Sequence, residues 1–273
     1  MKRRRRILVV VCGIAVLAGS GSLAAHDLFL KLTTYFLPPN TAVRAHLLNG
    51  TFTRSENSVT RDRVADISLV GGANRVALDT TALAPKGDST WLGFQTGTEG
   101  TYLLGLSVHS REVALTGEQF NGYLREEGLD DVLADRTRAG ALTTPARERY
   151  TKHVKAIFQV GTRRTDQFGT VLGNAAEIVP LDNPYELKPG NALRVRCFVN
   201  GIATPGLVVL AGGLSPAGAP IPELRARTDS AGIASLPVAK PGRWYVKFIS
   251  MRPSSAPGLT HESLWATLTF QLR

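Results

Sequence analysis

Apolar and polar residues alternate with a period of two along much of this chain, and each alternating segment follows a turn. Successive side chains of a strand point to opposite faces, so the alternation predicts strands with one buried face. The clearest segments are 42–47, 101–108, 193–199, 243–249 and 264–272. Pro-Gly and other glycine turns before these segments favour antiparallel pairing. The chain is therefore predicted to be mainly β.

One region, 116–150, has a helical period instead. Three large apolar residues fall on one helix face: Phe120, Tyr123 and Leu124. Gly128 is suited to end this helix, and the acids at 130–131 favour the start of a second short helix. We expect a helical insertion here, followed by a strand at 154–160.

The fold predicted from these elements is two β-sandwich domains, both immunoglobulin-like, with the short helical insertion between them. The turns and strands of the last ninety residues are typical of such a sandwich. Segment 211–222, rich in Gly, Pro and Ala, is predicted to be a surface loop. The expected divisions are a signal peptide (1–25), an N-terminal β domain (26–115), the insertion (116–150), a strand and connector completing the first domain (151–185), and a C-terminal sandwich (186–273).

The first 25 residues have the order of a secretory signal peptide. Lys2 and four arginines precede a short apolar run at 7–17, and small residues follow at 22–25. The apolar run is shorter than the ~20 residues that span a bilayer. This predicts a periplasmic or secreted protein without a transmembrane anchor after cleavage. Cleavage after Ala25 makes His26 the first residue, whereas cleavage after Ala24 does not.

The leader also accounts for half of the basic excess. The whole chain has a formal net charge of +10, and removal of the leader leaves 27 basic and 22 acidic side chains. No basic cluster with interleaved aromatic residues is present, so nucleic acid is not an expected partner. Cys197 is then the one remaining cysteine and shares strand parity with apolar neighbours, which predicts a buried thiol.

The usual catalytic signatures are missing. The chain has no Gly-x-Ser-x-Gly, no Gly-Lys-Ser/Thr phosphate loop, no His-Glu-x-x-His and no Cys-x-x-Cys. The Gly-Gly pairs at 71–72 and 212–213 are predicted to be turns. The protein is therefore expected not to be an enzyme.

Histidines are the remaining candidates for chemistry. A free α-amino group and the imidazole Nδ1 of a terminal His26 could chelate one metal ion, with Asp27 beside them. His261 and Glu262, before the last strand, are further candidate ligands. Three other histidines are predicted to be structural or exposed: His46, His109 and His153, with His109 and His153 facing solvent. Their spacing matches no dense metal site.

Five segments together resemble one bacterial family, the domain of unknown function 4198 family, often labelled as nickel-transport-associated. They are residues 25–30 (AHDLFL), 123–129 (YLREEGL), 177–185 (EIVPLDNPY), 228–232 (TDSAG) and 262–270 (ESLWATLTF). The resemblance implies an exported β protein that handles nickel, cobalt or a similar ion, with His26 as the natural candidate ligand. This chain departs from the family pattern at Ser250-Met251, where relatives often have His-Met. It departs again at Thr260-His261, where they tend to have Asp-Trp.

Three functions are open at this point. The first is a periplasmic metal-ion-binding protein for nickel, cobalt or copper that feeds a membrane transporter or buffers the ion, with His26, Asp27, His261 and Glu262 as ligands. The second is a non-catalytic binding module for an envelope partner or a carbohydrate, although Trp244 and Trp265 lie within strands and are expected to pack in the core. The third is a copper-dependent oxidative enzyme, which needs a second histidine beside the first that the sequence does not show.

Overall fold

The computed structural model describes residues 26–188, 190–238 and 240–273, so the predicted signal peptide lies outside the described residues. The protein is mainly β, as predicted, with two α-helices in the described part. The strands before the helices are β1 (Asp27–Lys31), β2 (Phe36–Leu37), β3 (Ala42–Gly50), β4 (Val64–Gly71), β5 (Asn74–Ala77), β6 (Leu83–Lys86), β7 (Ser89–Gln95), β8 (Gly100–Val108) and β9 (Arg111–Leu115). The helices are α1 (Gly117–Glu126) and α2 (Asp130–Arg138). The later strands are β10 (Ala146–Val160), β11 (Ala176–Pro180), β12 (Leu193–Val199), β13 (Ile202–Ala203), β14 (Val208–Leu214), β15 (Pro220–Arg227), β16 (Ile233–Leu236), β17 (Gly242–Pro253) and β18 (His261–Leu272).

The strands form three sheets, and the largest contains strands from both halves of the chain. Its order is β15-β14-β17-β18-β10-β8-β4-β5, with β2 and β9 also paired to β10. Strands β10 and β18 pair in parallel, and this pairing joins the two halves. A second sheet has the order β1-β3-β7-β6, and a third contains β11, β12, β13 and β16. Strands from both predicted β domains thus share this sheet, which we call the central sheet.

Side chains of the central sheet enter both of the two largest hydrophobic cores, and others pack in two smaller clusters. On β8, Leu104 packs with β1, β3 and β7, whereas its neighbour Leu103 packs with β11 and β12. On β10, Phe158 packs in the same core as Leu104, and Ile157 packs in the same core as Leu103. Burial of both faces explains why every residue of β8 is buried. The predicted apolar face of β8 is confirmed, but its opposite face is also covered.

The helical segment is confirmed and begins with a capping box. The Thr116 side chain accepts from the Gln119 backbone N–H, and the Gln119 side chain accepts from the Thr116 backbone N–H. Gly128 has φ 68°, the left-handed conformation that ends helices. The apolar face of α1 packs on Trp265 and on Ile249 of β17. Strand β10 begins at Ala146, eight residues before the predicted strand.

The prediction of a surface loop at 211–222 is wrong. The segment contains the end of β14 and the start of β15, which pair as a hairpin around residues 215–219. Gly212 and Gly213 are strand residues and do not form a turn. Glycine is needed at both positions because β17 passes close against them. A Cβ at Gly213 would collide with the carbonyl oxygen of Arg243, and one at Gly212 would lie 2.5 Å from the Tyr245 hydroxyl.

Cys197 is fully buried, as predicted, and burial raises the pKa of its thiol to about 12. His109 is exposed, also as predicted. His153 was predicted to face solvent, and this is wrong: it is 8% exposed, and its Nδ1 lies 2.8 Å from the Ser107 hydroxyl. The neighbouring strand β8 and residue Asn174 cover it. No helix in the described part of the chain is long and apolar enough to cross a membrane.

The buried imidazole of His153 predicts a loss of stability in acid. Burial lowers the pKa of His153 from 6.5 to about 4, so between these values the unfolded chain binds a proton that the folded chain does not. The free energy of unfolding should therefore fall by about 3 kcal/mol as the pH drops from 6.5 to 4 because of this group. The measurement is urea unfolding across this range for the wild type and for His153→Asn. The free energy of unfolding should fall less steeply with decreasing pH in the variant than in the wild type. Equal pH dependence in the two proteins would refute the assignment.

Candidate functional site

The start of β1 lies beside a cleft of about 480 Å³. The cleft lies beneath the 49–60 loop and is bounded by β9 and the first half of β10. Its lining residues are His26, Leu28, Asn49, Asn57, Ser58, Val59, Thr60, Arg63, Val108, Arg111, Val113, Tyr150 and Lys152. His26, the candidate N-terminal ligand, is thus at the edge of a cavity rather than in the core.

The imidazole of His26 is oriented by one carboxylate. Its Nε2 lies 3.3 Å from Glu56 Oε2, and the two side chains are 24% and 43% exposed. Glu56 is positioned by its own backbone N–H, which donates to the Asn49 carbonyl of β3. With Nε2 directed at Glu56, Nδ1 is the ring nitrogen left for a second interaction. This is the nitrogen that a chelate with the α-amino group requires.

Asp27 lies on the other side of β1, since successive strand residues face opposite ways. Its Oδ2 is 2.7 Å from Lys247 Nζ, which is also 2.7 Å from Glu127 Oε2 of the chain after α1. Burial, reinforced by the Asp27 charge, raises the pKa of Glu127 to about 7. Burial opposes the Lys247 charge, but these two carboxylates raise the pKa of Lys247 overall. Asp27 is therefore held in a buried ion-pair cluster and does not join His26.

Lys152 closes the inner end of the cleft. Its ammonium group donates to the His26 carbonyl oxygen and lies 5.0 Å and 4.5 Å from the ring centres of Tyr150 and Trp265. Burial lowers the pKa of Lys152 to about 8, although the nearby carboxylates oppose the shift. The bond to the backbone of His26 fixes the start of β1 against β10.

His261 and Glu262 lie elsewhere. Parallel pairing matches Lys152 with Trp265, so His261 is four residues back along β18, roughly 13 Å from that level. The His261 ring packs at 4.8 Å from the ring centre of Phe120, with Nδ1 2.8 Å from the Thr260 hydroxyl. Glu262 Oε2 is 2.8 Å from the Arg252 guanidinium.

The four predicted ligands are therefore not gathered in one place. Across residues 26–188, 190–238 and 240–273, no group of three or more His, Cys, Asp and Glu side chains could hold a metal ion. The structure instead brings Glu56 to His26, a contact that the sequence reading missed. Glu56 lies in a Thr/Ser/Asn-rich loop with no motif around it, and no signal in the sequence identifies it.

Two buried tryptophans bear on the carbohydrate hypothesis. Trp244 and Trp265 are each 2% exposed, which confirms their predicted core packing. Neither ring offers a face for sugar stacking. The His46 ring packs against Trp91 with ring centres 3.8 Å apart and planes at 44°, which is the structural one of the two roles predicted for it.

The fold and the site are those of a mainly β protein with a histidine at the edge of a cleft lined by polar and apolar residues. The chain belongs to the domain of unknown function 4198 family, whose model matches residues 23–252. This confirms the resemblance found in the sequence. No curated protein matches the chain.

Solved structures show distant likeness only. A tetra-tandem repeat from the extending region of a large adhesion protein is 11% identical with a TM-score of 0.22, covering 90% of this chain and 50% of that one. Trypsin-activated alpha-2-macroglobulin from Escherichia coli is 10% identical with a TM-score of 0.20, covering 91% and 16%. The human OSCAR ligand-binding domain is 10% identical with a TM-score of 0.19, covering 90% and 99%. The chain thus spans half or less of the first two.

Proposed function

We propose that this is an exported protein that binds one divalent transition-metal ion, of the nickel, cobalt or copper class, at an N-terminal His26. It would carry the ion to a membrane transporter or buffer it in the periplasm, by coordination rather than turnover. The observation that supports this most directly is the contact of His26 Nε2 with Glu56. That contact leaves Nδ1 free to join the α-amino group on the same ion.

The donor chemistry fits this class of metal. The α-amino nitrogen and Nδ1 of one histidine close a six-membered chelate ring, and nitrogen donors suit nickel, copper and cobalt. A carboxylate on the other ring nitrogen fixes the imidazole and raises its basicity, as Glu56 is placed to do. Asp27, His261 and Glu262 take no part in this set, because each has other partners.

Two nitrogen donors from one residue leave the remaining coordination positions to water or to another molecule. Such a site exchanges its ion more readily than a closed site built from four side chains. This property supports delivery or buffering over permanent storage. The position of His26 at the cleft edge gives a second molecule access to the ion.

The alternative function is a non-catalytic binding module for an envelope partner or a carbohydrate. The observation that favours it is the cleft itself, which exists whether or not His26 becomes the terminus. We also propose that the two hydrophobic cores correspond to two immunoglobulin-like sandwiches that share the central sheet. A scaffold of this kind could serve either function.

The test is a nickel and copper titration by calorimetry of protein that begins at His26. His26→Ala should weaken binding at least about 100-fold, because it removes the imidazole from the chelate. Glu56→Gln should weaken it about tenfold, in line with the loss of a carboxylate behind a ligating histidine.

The matched control is His261→Gln, which removes a predicted ligand that the structure places elsewhere and should leave affinity unchanged. Equal affinities for the wild type and His26→Ala would refute the proposal. A loss in both His26→Ala and His261→Gln would restore the ligand set read from the sequence.

A further inference from the structure

We propose that the cleft beside His26 binds a small anion with at least two negative charges, through carboxylate or phosphate oxygens held by Arg63 and Arg111. This goes beyond metal binding and does not require His26 to be the terminus. The cleft volume of about 480 Å³ suits a small molecule rather than a peptide or polymer.

Arg63 enters the cleft without a carboxylate partner. It is half-buried, and its Nε is shielded from solvent with no hydrogen-bond partner in the part of the chain that the structure describes. Burial and the nearby Arg111 charge lower the pKa of Arg63, and Tyr150 and the Asp62 charge oppose this shift only in part. A buried guanidinium nitrogen without an acceptor costs free energy, and an oxyanion in the cleft would remove that cost.

Arg111 stands opposite Tyr150 in the β9–β10 pairing, on the cleft side. In the described part of the chain, no carboxylate oxygen lies within 4 Å of the Arg111 guanidinium. The adjacent acid, Glu112, points to the other face of β9, where it pairs with Arg147 and Arg149. Alternation along β9 thus separates Arg111 from the acid next to it in sequence.

The rest of the lining is cationic or neutral. Lys152 lies at the inner end, and the polar residues Asn49, Asn57 and Ser58 line the cleft together with apolar residues of β1, β8 and β9. No aspartate or glutamate lines the cleft. Asp62 is exposed and outside the lining, where its carboxylate accepts from the Thr60 hydroxyl and is attracted by the charges of Arg111 and Arg63. Glu56 is engaged by His26.

Charge and geometry together define the ligand class. Like charges at close range repel, and a dianion between the two guanidinium groups would turn this repulsion into attraction. A guanidinium presents parallel N–H donors that match the two oxygens of a carboxylate or phosphate. The hydroxyl and amide groups supply further donors for remaining oxygens.

The experiment is calorimetric titration of the purified protein with succinate, inorganic phosphate and acetate at low ionic strength. Succinate or phosphate should bind at least about tenfold more tightly than the monoanion acetate, and added salt should weaken binding. Preference for succinate identifies a carboxylate ligand, and preference for phosphate identifies a phosphate ligand. Either result supports the proposed oxyanion site.

Four variants locate the site. Arg63→Gln and Arg111→Gln should each weaken binding about tenfold, the loss expected for one charge-assisted pair. Arg125→Gln makes the same charge change on the exposed surface of α1 and should have no effect. His26→Ala should keep most of the anion affinity, which separates this site from the metal site.

No detectable binding of succinate or phosphate at millimolar concentration would overturn the proposal. Equal weakening by Arg125→Gln would also overturn it, because the effect would then be due to net charge and not to the cleft.

Discussion

Replacing Glu177 by glutamine should lower the free energy of unfolding by about 3–5 kcal/mol, the range found when one partner of a buried ion pair is removed. Glu177 pairs with Lys155 of β10, and the two side chains are 1% and 2% exposed. The same carboxylate accepts hydrogen bonds from the backbone N–H groups of residues 172–174. Glutamine leaves the buried Lys155 charge unpaired and directs an amide N–H₂ at those donors. Equilibrium unfolding in urea measures the change.

The matched control for Glu177→Gln is Asp135→Asn, which breaks an exposed ion pair with Arg138 on α2. Exposed helical pairs contribute about 0.3–0.5 kcal/mol. Equal effects of the two substitutions would show that the Lys155–Glu177 pair is solvated in solution, contrary to the structure.

The second large effect is expected from Lys247→Met, which should also lower the free energy of unfolding at pH 7 by about 3–5 kcal/mol. Lys247 is 9% exposed and bridges Asp27 of β1 to Glu127 after α1. Without the ammonium group, two buried carboxylates lose the cation that contacts both of them, and only the more distant Lys152 charge still attracts them. Loss of this cluster should also loosen the start of β1, and with it His26.

The decrease in the free energy of unfolding caused by Lys247→Met should depend on pH. Burial and the Asp27 charge raise the pKa of Glu127 to about 7 even with Lys247 beside it, so loss of Lys247 raises this pKa further and costs most stability where Glu127 is ionised in the wild type. The deficit relative to the wild type should therefore be largest above pH 7 and should shrink as the pH falls towards 4.5. Arg252→Met, which breaks the exposed pair with Glu262, is the control. A deficit that grows in acid would contradict the assignment.

Local features of this fold were readable in the sequence. Period-two alternation identified β8, β12, β17 and β18, because each has at least one continuous apolar face. The helical pair was readable because the spacing of Phe120, Tyr123 and Leu124 and the stop at Gly128 are determined within a few residues. These are interactions between near neighbours in sequence, which a pattern can report.

Non-local features were not readable. The parallel pairing of β10 with β18 joins residues more than 100 positions apart, and no local pattern encodes it. The Gly212-Gly213 pair was read as a turn because the close approach of β17 that requires glycine is visible only in the fold. His153 was misplaced for the same reason, since strand parity cannot show that a sheet is covered on both faces.

The candidate site divides in the same way. His26 was identified from its position after the predicted leader, a property of the sequence alone. Glu56, Arg63 and Arg111 were missed, since they come from a loop, a turn and a short strand that only the fold brings together. His261 and Glu262 were chosen for their chemistry, but their partners, Phe120 and Arg252, are set by packing that the sequence does not report.

The measurement that tests the central claim most directly is native mass spectrometry of the protein recovered from a periplasmic extract, before and after addition of nickel, cobalt or copper. The account predicts a mass that begins at His26 and a single tightly bound ion that is lost in His26→Ala. A mass that begins at Ala25, or no nickel, cobalt or copper adduct on a chain that begins at His26, would contradict it.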